Sequence, residues 1–163
     1  MAVHKIVLDN DFAEEYSLIA LHCAEEDYKM AYSLNRYLDL RLKRRRLDLE
    51  FQTNGLDVNF PLFEFEDKFR YTTYHLVGNK CKTTSVNAIS SGGLFDAQPT
   101  ENVHISYLLP EFKRADYFLK ITSEYDTIPL RNHLAGINEI NQVISAYEVE
   151  VSKVKSYNHL IFN

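Results

Sequence analysis

Twice in this chain an alternating apolar stretch gives way to helical spacing and then to alternation again. That recurrence limits the fold more than any other feature. The first instance runs from strand 15–23 (EYSLIALHC) through helix 25–41 to strand 47–52. In the strand, Tyr16, Leu18 and Ala20 alternate with Ser17, Ile19 and Leu21. In the helix, Tyr28, Ala31, Leu34 or Asn35, Leu38 and Leu42 recur on one stripe. Acids at 25–27 open that helix and Arg41, Lys43 and Arg44 close it, the polarity that suits a helix dipole. The second instance is strand 115–122, helix 129–140 and strand 143–151. Tyr117, Leu119 and Ile121 share one face of its strand, with Asp116, Phe118 and Lys120 on the other. Pro129 sits where a helix tolerates it, near the first turn, and Gly136 marks a place where the helix shortens or packs closely.

Between the two units lie hairpin signals. Asn54-Gly55 is a turn pair. "FPLFEFED" and "RYTTYHLVGN" alternate on either side of a short polar turn, and Pro61 suits a strand start or edge. Residues 80–102 (KCKTTSVNAISSGGLFDAQPTEN) are rich in Ser, Thr, Gly and Asn and read as a mobile loop. "HKIVLD" at 4–9 alternates as a short strand, and "HLIF" near the end adds a last one. Together these elements predict one α+β domain over residues 1–163. Its sheet is mixed but mostly antiparallel, with two main helices on one face. The arrangement is broadly ferredoxin-like, two βαβ units with an inserted hairpin.

Composition narrows the setting. Eighteen Lys and Arg against 23 Asp and Glu leave the chain mildly acidic, which argues against a general nucleic-acid binder. Cys23 and Cys81 are the two cysteines; they make no disulfide framework or zinc spacing and fit a reducing cytoplasm. No apolar run approaches the roughly 20 residues that span a bilayer, and the N-terminus lacks the apolar core of a signal peptide. Eleven Tyr and ten Phe, with no Trp, are placed mainly at the core boundary; a tyrosine-rich partner surface is the sharper reading.

The oddest stretch is "LLPEFKRADYFLK", residues 108–120. Pro110 cannot donate to a sheet ladder and pushes Leu109 towards an extended shape, so a strand ends there and the next one begins after "EFKR". Glu111 and Asp116 flank this corner, with Lys113 and Arg114 between them. Paired carboxylates suit acid–base chemistry when one is held protonated, but two adjacent bases act against that. The corner is therefore read as a salt-bridged turn capped by acidic oxygens. Within it, "LPEFKRADY" (109–117) resembles the signature of the IPExxxVDY family, a group of uncharacterised bacterial proteins of the Bacteroidota type. Pro110, Glu111, Asp116 and Tyr117 match, while Leu109 stands for Ile and Ala115 for Val. Similarity extends through "YSLIALHCAEEDYKMAYSLNRYL", "YHLVGNK" and "VISAYEVEV…HLIF". The resemblance implies no activity, substrate or cofactor, and it supplies no catalytic residue.

Other constellations carry less. Arg41, Lys43, Arg44, Arg45 and Arg46 form a basic run that could meet RNA phosphates; the plainer reading is a solvated helix end and turn. Asn35 on the apolar stripe is read as an amide that bonds a neighbouring backbone group. The six histidines are scattered, and a site from His75, His104 and Cys81 has no ligand spacing behind it. No phosphate loop, nucleophile elbow or zincin motif is present, so no catalytic residue, metal or cofactor is assigned. The leading expectation is a cytoplasmic, non-catalytic binding or protein-interaction module, self-associating through free sheet edges or binding another protein. The alternatives are RNA association through 41–46 and a small acid–base enzyme using Glu111 or Asp116 with His104.

Overall fold

Ser17–Cys23 (β1) is the strand around which the sheet is laid out: all but two of its side chains are buried. The computed structural model describes residues 15–87, 100–125 and 128–163. In chain order, β1 is followed by Asp27–Leu38 (α1), Lys43–Arg44 (β2), Leu49–Thr53 (β3), Leu56–Phe60 (β4), Leu62–Asp67 (β5) and Thr72–Gly78 (β6). Then come Lys80–Asn87 (β7), Thr100–Tyr107 (β8), a 3-10 turn at Pro110–Phe112, Tyr117–Ser123 (β9), Leu130–Asn138 (α2) and Val143–Val149 (β10). Two further 3-10 turns, Val151–Lys153 and Tyr157–Leu160, lead to the C-terminal end. Among the described residues the main sheet has six strands in the order β10-β1-β9-β6-β5-β2, and every neighbouring pair is antiparallel. β3–β4 and β7–β8 are separate hairpins. The α+β class with a mostly antiparallel sheet is as the sequence predicts.

The second strand–helix–strand unit forms as expected. β9 and β10 both run antiparallel to β1, which lies between them, so they are parallel to each other across the α2 crossover. The first unit closes differently. The strand expected over 47–52 forms as β3, but pairs with β4 through the Asn54-Gly55 turn and does not enter the sheet. Both turn residues have positive φ, 52° and 75°, the conformation a two-residue hairpin loop needs. The physical reason for the displacement is that the sheet is apolar on both faces. One face buries Ile19, Leu21, Tyr74, Leu76, Leu119 and Ile121 against Met30, Ala31, Leu34 and Ile137 of the helices. The other buries Leu18, Ala20, Val77 and Phe118 against Val58 and Phe60 of the hairpin and Val154 and Leu160 of the C-terminal segment. A helix-only cover would leave that second face wet.

Three smaller expectations change. Residues 80–87 and 100–102 are strand, not loop; the rest of that stretch, 88–99, lies outside the described residues, as does the strand expected at 4–9. Residues 81–85 alternate between half-buried and exposed, but Lys82, Thr83, Thr84 and Ser85 are polar whichever way they face, so this strand offers no apolar alternation to read. "HLIF" is a 3-10 turn followed by extended chain, not a strand. Tyr28, placed on the buried stripe, is 57% exposed, and Met30 takes its place in the core. Gly136 does mark close packing: a Cβ there would sit 2.8 Å from the Leu38 Cδ2 methyl of α1. Asn35 behaves as read, its amide accepting from Leu42 N at 2.8 Å and donating to Leu42 O at 3.1 Å.

Candidate functional site

β6 and β9 pair from Thr72↔Ser123 at one end to Gly78↔Tyr117 at the other. Two arrangements of polar and aromatic residues stand at those opposite ends, roughly 20 Å apart by strand rise.

At the Gly78 end lies the corner after Pro110. Its centre is Asn79, a residue the sequence did not single out, with 0% exposure. Its amide nitrogen donates to Phe112 O at 2.9 Å and Ala115 O at 2.8 Å, and its side-chain oxygen accepts from Leu109 N at 2.8 Å. Its backbone adds Asn79 N to Asp116 O and Leu108 N to Asn79 O, both 2.9 Å. A buried turn has no water for its backbone groups, and one carboxamide satisfies three of them. Glu111 and Asp116 do not pair with Lys113 or Arg114, as the salt-bridged reading had it; they reach segments far away in sequence. Glu111 accepts from Lys155 N and Ser156 N at 2.8 Å and from the Ser156 hydroxyl at 3.1 Å, which fastens the C-terminal segment. Asp116 accepts from Cys23 N at 2.9 Å on one oxygen and from Lys80 Nζ at 2.7 Å on the other, and His22 Nδ1, which donates to Arg114 O at 2.8 Å, lies 3.0 Å from the first of these oxygens. The Tyr117 hydroxyl donates to Glu25 O. Leu109 is buried and Pro110 begins the 3-10 turn.

The corner thus holds a His22–Asp116 pair but no activated nucleophile. The Cys23 thiol next to it is buried in the helix-side core, and that burial pushes its pKa up. His104, named with these acids in the enzyme reading, lies on β8 paired with Thr83 and is not brought to the corner. Burial alone would raise the Glu111 carboxyl; hydrogen bonds from Ser156, Lys155 and its own backbone together outweigh it and hold the carboxyl below its ordinary value. A carboxyl depressed in the folded state stabilises above its unfolded pKa, and that stability is lost as pH falls through the folded pKa. Hydrogen exchange of the Lys155 and Ser156 amides is therefore expected to speed up as pH drops below about 4 relative to the intrinsic rate. In Glu111→Gln that acid-dependent loss of protection is expected to disappear.

At the Thr72 end lies a cleft of about 830 Å³, between the end of α1, the β5–β6 turn, the end of β9 and the start of α2. Its walls are aromatic: Tyr37, Phe69, Tyr71, Tyr74, Tyr125 and His133. Tyr71 and Tyr125 meet edge to face, centroids 5.3 Å apart and planes at 79°. Deeper in, His133 is stacked on Tyr74 at 5.6 Å. His133 Nδ1 donates to Pro129 O at 2.8 Å, so Nε2 accepts from the Tyr74 hydroxyl at 3.1 Å. Burial pushes the Tyr74 phenol up, which keeps it the donor. The turn that builds the outer wall is fixed by Asp67, whose Oδ1 accepts from Phe69 N at 3.0 Å and Arg70 N at 3.2 Å. It leaves Tyr71 at φ 49°, a left-handed conformation that is costly for an aromatic residue. The expectation of a tyrosine-rich surface named no positions; these residues are scattered from 37 to 133 in sequence.

The basic run does not form one open patch. Arg44 reaches Asp48 at 2.9 Å and Asp27 at 3.2 Å; Arg45 donates to Asn163 O at 2.7 Å and lies 3.8 Å from Glu64. Lys43 and Arg44 are the edge strand β2 itself, where charge blunts unwanted pairing. Arg41, Lys43 and Arg46 are exposed. Among the described residues no group of three His, Cys, Asp or Glu converges as a metal site, and no helix is long and apolar enough to cross a membrane. Comparison with protein-family models, curated proteins and solved structures finds no match to this chain.

Proposed function

We propose that this protein is a non-catalytic binding module of the reducing cytoplasm, and that its binding site is the aromatic cleft at the Thr72 end of the sheet. The observation that carries the reading is the concentration of exposed rings there. Tyr71 is 54% exposed, Tyr125 61% and Phe69 98%, around a cleft whose volume suits a small ligand. The acid–base groups deeper in the cleft are tied to each other, which favours binding over chemistry. Membership of the IPExxxVDY group is part of the same proposal: each of Pro110, Glu111, Asp116 and Tyr117 has a definite structural task at the corner. The two thiols, one buried and neither in a disulfide, support a reducing compartment.

Self-association through sheet edges has less support. On the outer strand β10, the Asn138 side chain accepts from Ala146 N at 3.2 Å and so occupies part of the edge another strand would use. The opposite edge is a two-residue cationic strand. RNA association is weakened by the acids paired with Arg44 and Arg45.

Asn132 is exposed on α2 and lines the cleft, so Asn132→Trp fills it from a position that tolerates a large side chain. A fragment library screened by saturation-transfer NMR is expected to yield hits on the wild type that disappear in this variant. Hits that all survive in Asn132→Trp place binding elsewhere and contradict the proposal.

A further inference from the structure

We propose that the cleft recognises the alkylated ammonium group of a small organic molecule, with Asp39 as its counter-charge and the rings of Tyr71, Tyr125 and Phe69 as its walls. The inference rests on the binding reading above and names the ligand class. It starts from a residue that is out of place. Asp39 caps the C-terminus of α1 in the left-handed conformation, φ 54° and ψ 44°, where helices usually carry Gly. Its negative charge also stands at the negative end of the helix dipole, where a cation is favoured. The dipole disfavours Asp at that position, and although Asp enters the left-handed region more readily than most residues, Gly enters it at less cost. No ion pair compensates: no described Lys, Arg or His comes within salt-bridge distance of it. Asp39 lines the aromatic cleft. Arg70 lines it too; it is 71% exposed and 3.9 Å from Asp67, so its guanidinium can turn to solvent away from a bound cation.

The remaining groups of the cleft select against other ligands. Both ring nitrogens of His133, the Tyr74 hydroxyl and the Thr72 hydroxyl, which donates to Arg70 O at 3.0 Å, are already bonded. What is left to a ligand is ring faces, the exposed Arg70 and Asn132 side chains and the Asp39 carboxylate, the one acid of the described lining. Aromatic faces carry the negative part of the ring quadrupole and attract cations. The 79° meeting of Tyr71 and Tyr125 forms two walls of a corner rather than a flat stack. An anion would meet both the ring faces and Asp39 unfavourably. A flat neutral ligand would leave Asp39 unexplained. A primary ammonium needs acceptors for three N–H groups; an alkylated one presents charged methyl groups to the rings and has no such need.

Choline and its uncharged isostere 3,3-dimethylbutan-1-ol are the probes, titrated into isotope-labelled protein and followed by amide chemical shifts. Choline is expected to shift Asp39, Tyr71 and Tyr125 and to bind at least about tenfold more tightly than the alcohol. Asp39→Gly is expected to weaken choline binding by about tenfold while raising the melting temperature by about 2–4 °C, because Gly accepts the left-handed conformation and removes the misplaced charge. Tyr71→Gly is expected to lose choline binding without losing stability, for the same conformational reason. Equal binding of choline and the alcohol in the cleft overturns the cation inference and leaves the binding reading intact. So does full choline affinity in Asp39→Gly. Choline shifts centred away from the cleft, while fragment hits still map to it, also overturn the inference alone. Absence of cleft hits for every fragment and for choline removes both.

Discussion

Replacing Asn79 with alanine is expected to lower the unfolding free energy by about 3–5 kcal/mol, measured by urea denaturation monitored by tyrosine fluorescence and circular dichroism. The substitution strips partners from Leu109 N, Phe112 O and Ala115 O at a fully buried site. Each orphaned buried group costs about 1–3 kcal/mol, and water entering the small space left behind offsets part of the sum. Against a typical total of about 5–15 kcal/mol, the loss is large enough to leave the domain marginal at 37 °C. Asn79→Asp is expected to do no better, since a carboxylate can still accept from Leu109 N but cannot donate to two carbonyls. A change below about 1 kcal/mol in the alanine variant would show that the corner is held by its apolar packing alone.

Asp116→Ala is expected to cost about 2–3 kcal/mol in the same assay. It removes the acceptor of the part-buried Cys23 N–H and the partner of the Lys80 ammonium, whose side chain is 33% exposed. The Lys80 share is modest because that group can turn to solvent. Asp116→Asn keeps one acceptor oxygen and loses the charge, so its cost falls between wild type and alanine. A catalytic use of Asp116 would add loss of a reaction in the Asn variant to the same loss of stability.

Local patterns were the legible part of this fold. Asn54-Gly55 needs only its own two residues to specify a turn, and both take the positive φ that the pair predicts. The hairpin of β5 and β6 and the α2 crossover followed from alternation and helical spacing, because their partners are neighbours along the chain. The same logic failed where partners are distant. Leu49 and Phe51 alternate like a sheet strand, yet what they cover is the sheet's second face, and alternation does not say which partner a strand takes. Of the β7–β8 hairpin, the end of β8 was legible as a strand stopping at Pro110, while β7 was hidden because its Lys, Thr and Ser side chains resemble loop composition. At the corner, Pro110 announced the turn, but Asn79 lies about thirty residues earlier, and nothing local marks a buried amide as the hub of a distant loop. The cleft is assembled from the ends of α1, β9 and α2 and from one turn. Its one local signal was Asp39 in "YLDL", an acid at the C-terminal end of α1, where the helix dipole disfavours it.

The division of labour between the two ends of β6 and β9 is the central claim: the Gly78 end joins the chain together and the Thr72 end binds. Its most direct test is the affinity of the fragment hits for Asp116→Asn, measured by NMR titration in the temperature range where that variant is fully folded. The account predicts affinity within a factor of two of wild type, because the substitution lies roughly 20 Å along the strands from the cleft. A folded Asp116→Asn protein whose hits bind tenfold or more weakly, with wild-type shifts centred on His22 and Lys80, would contradict it.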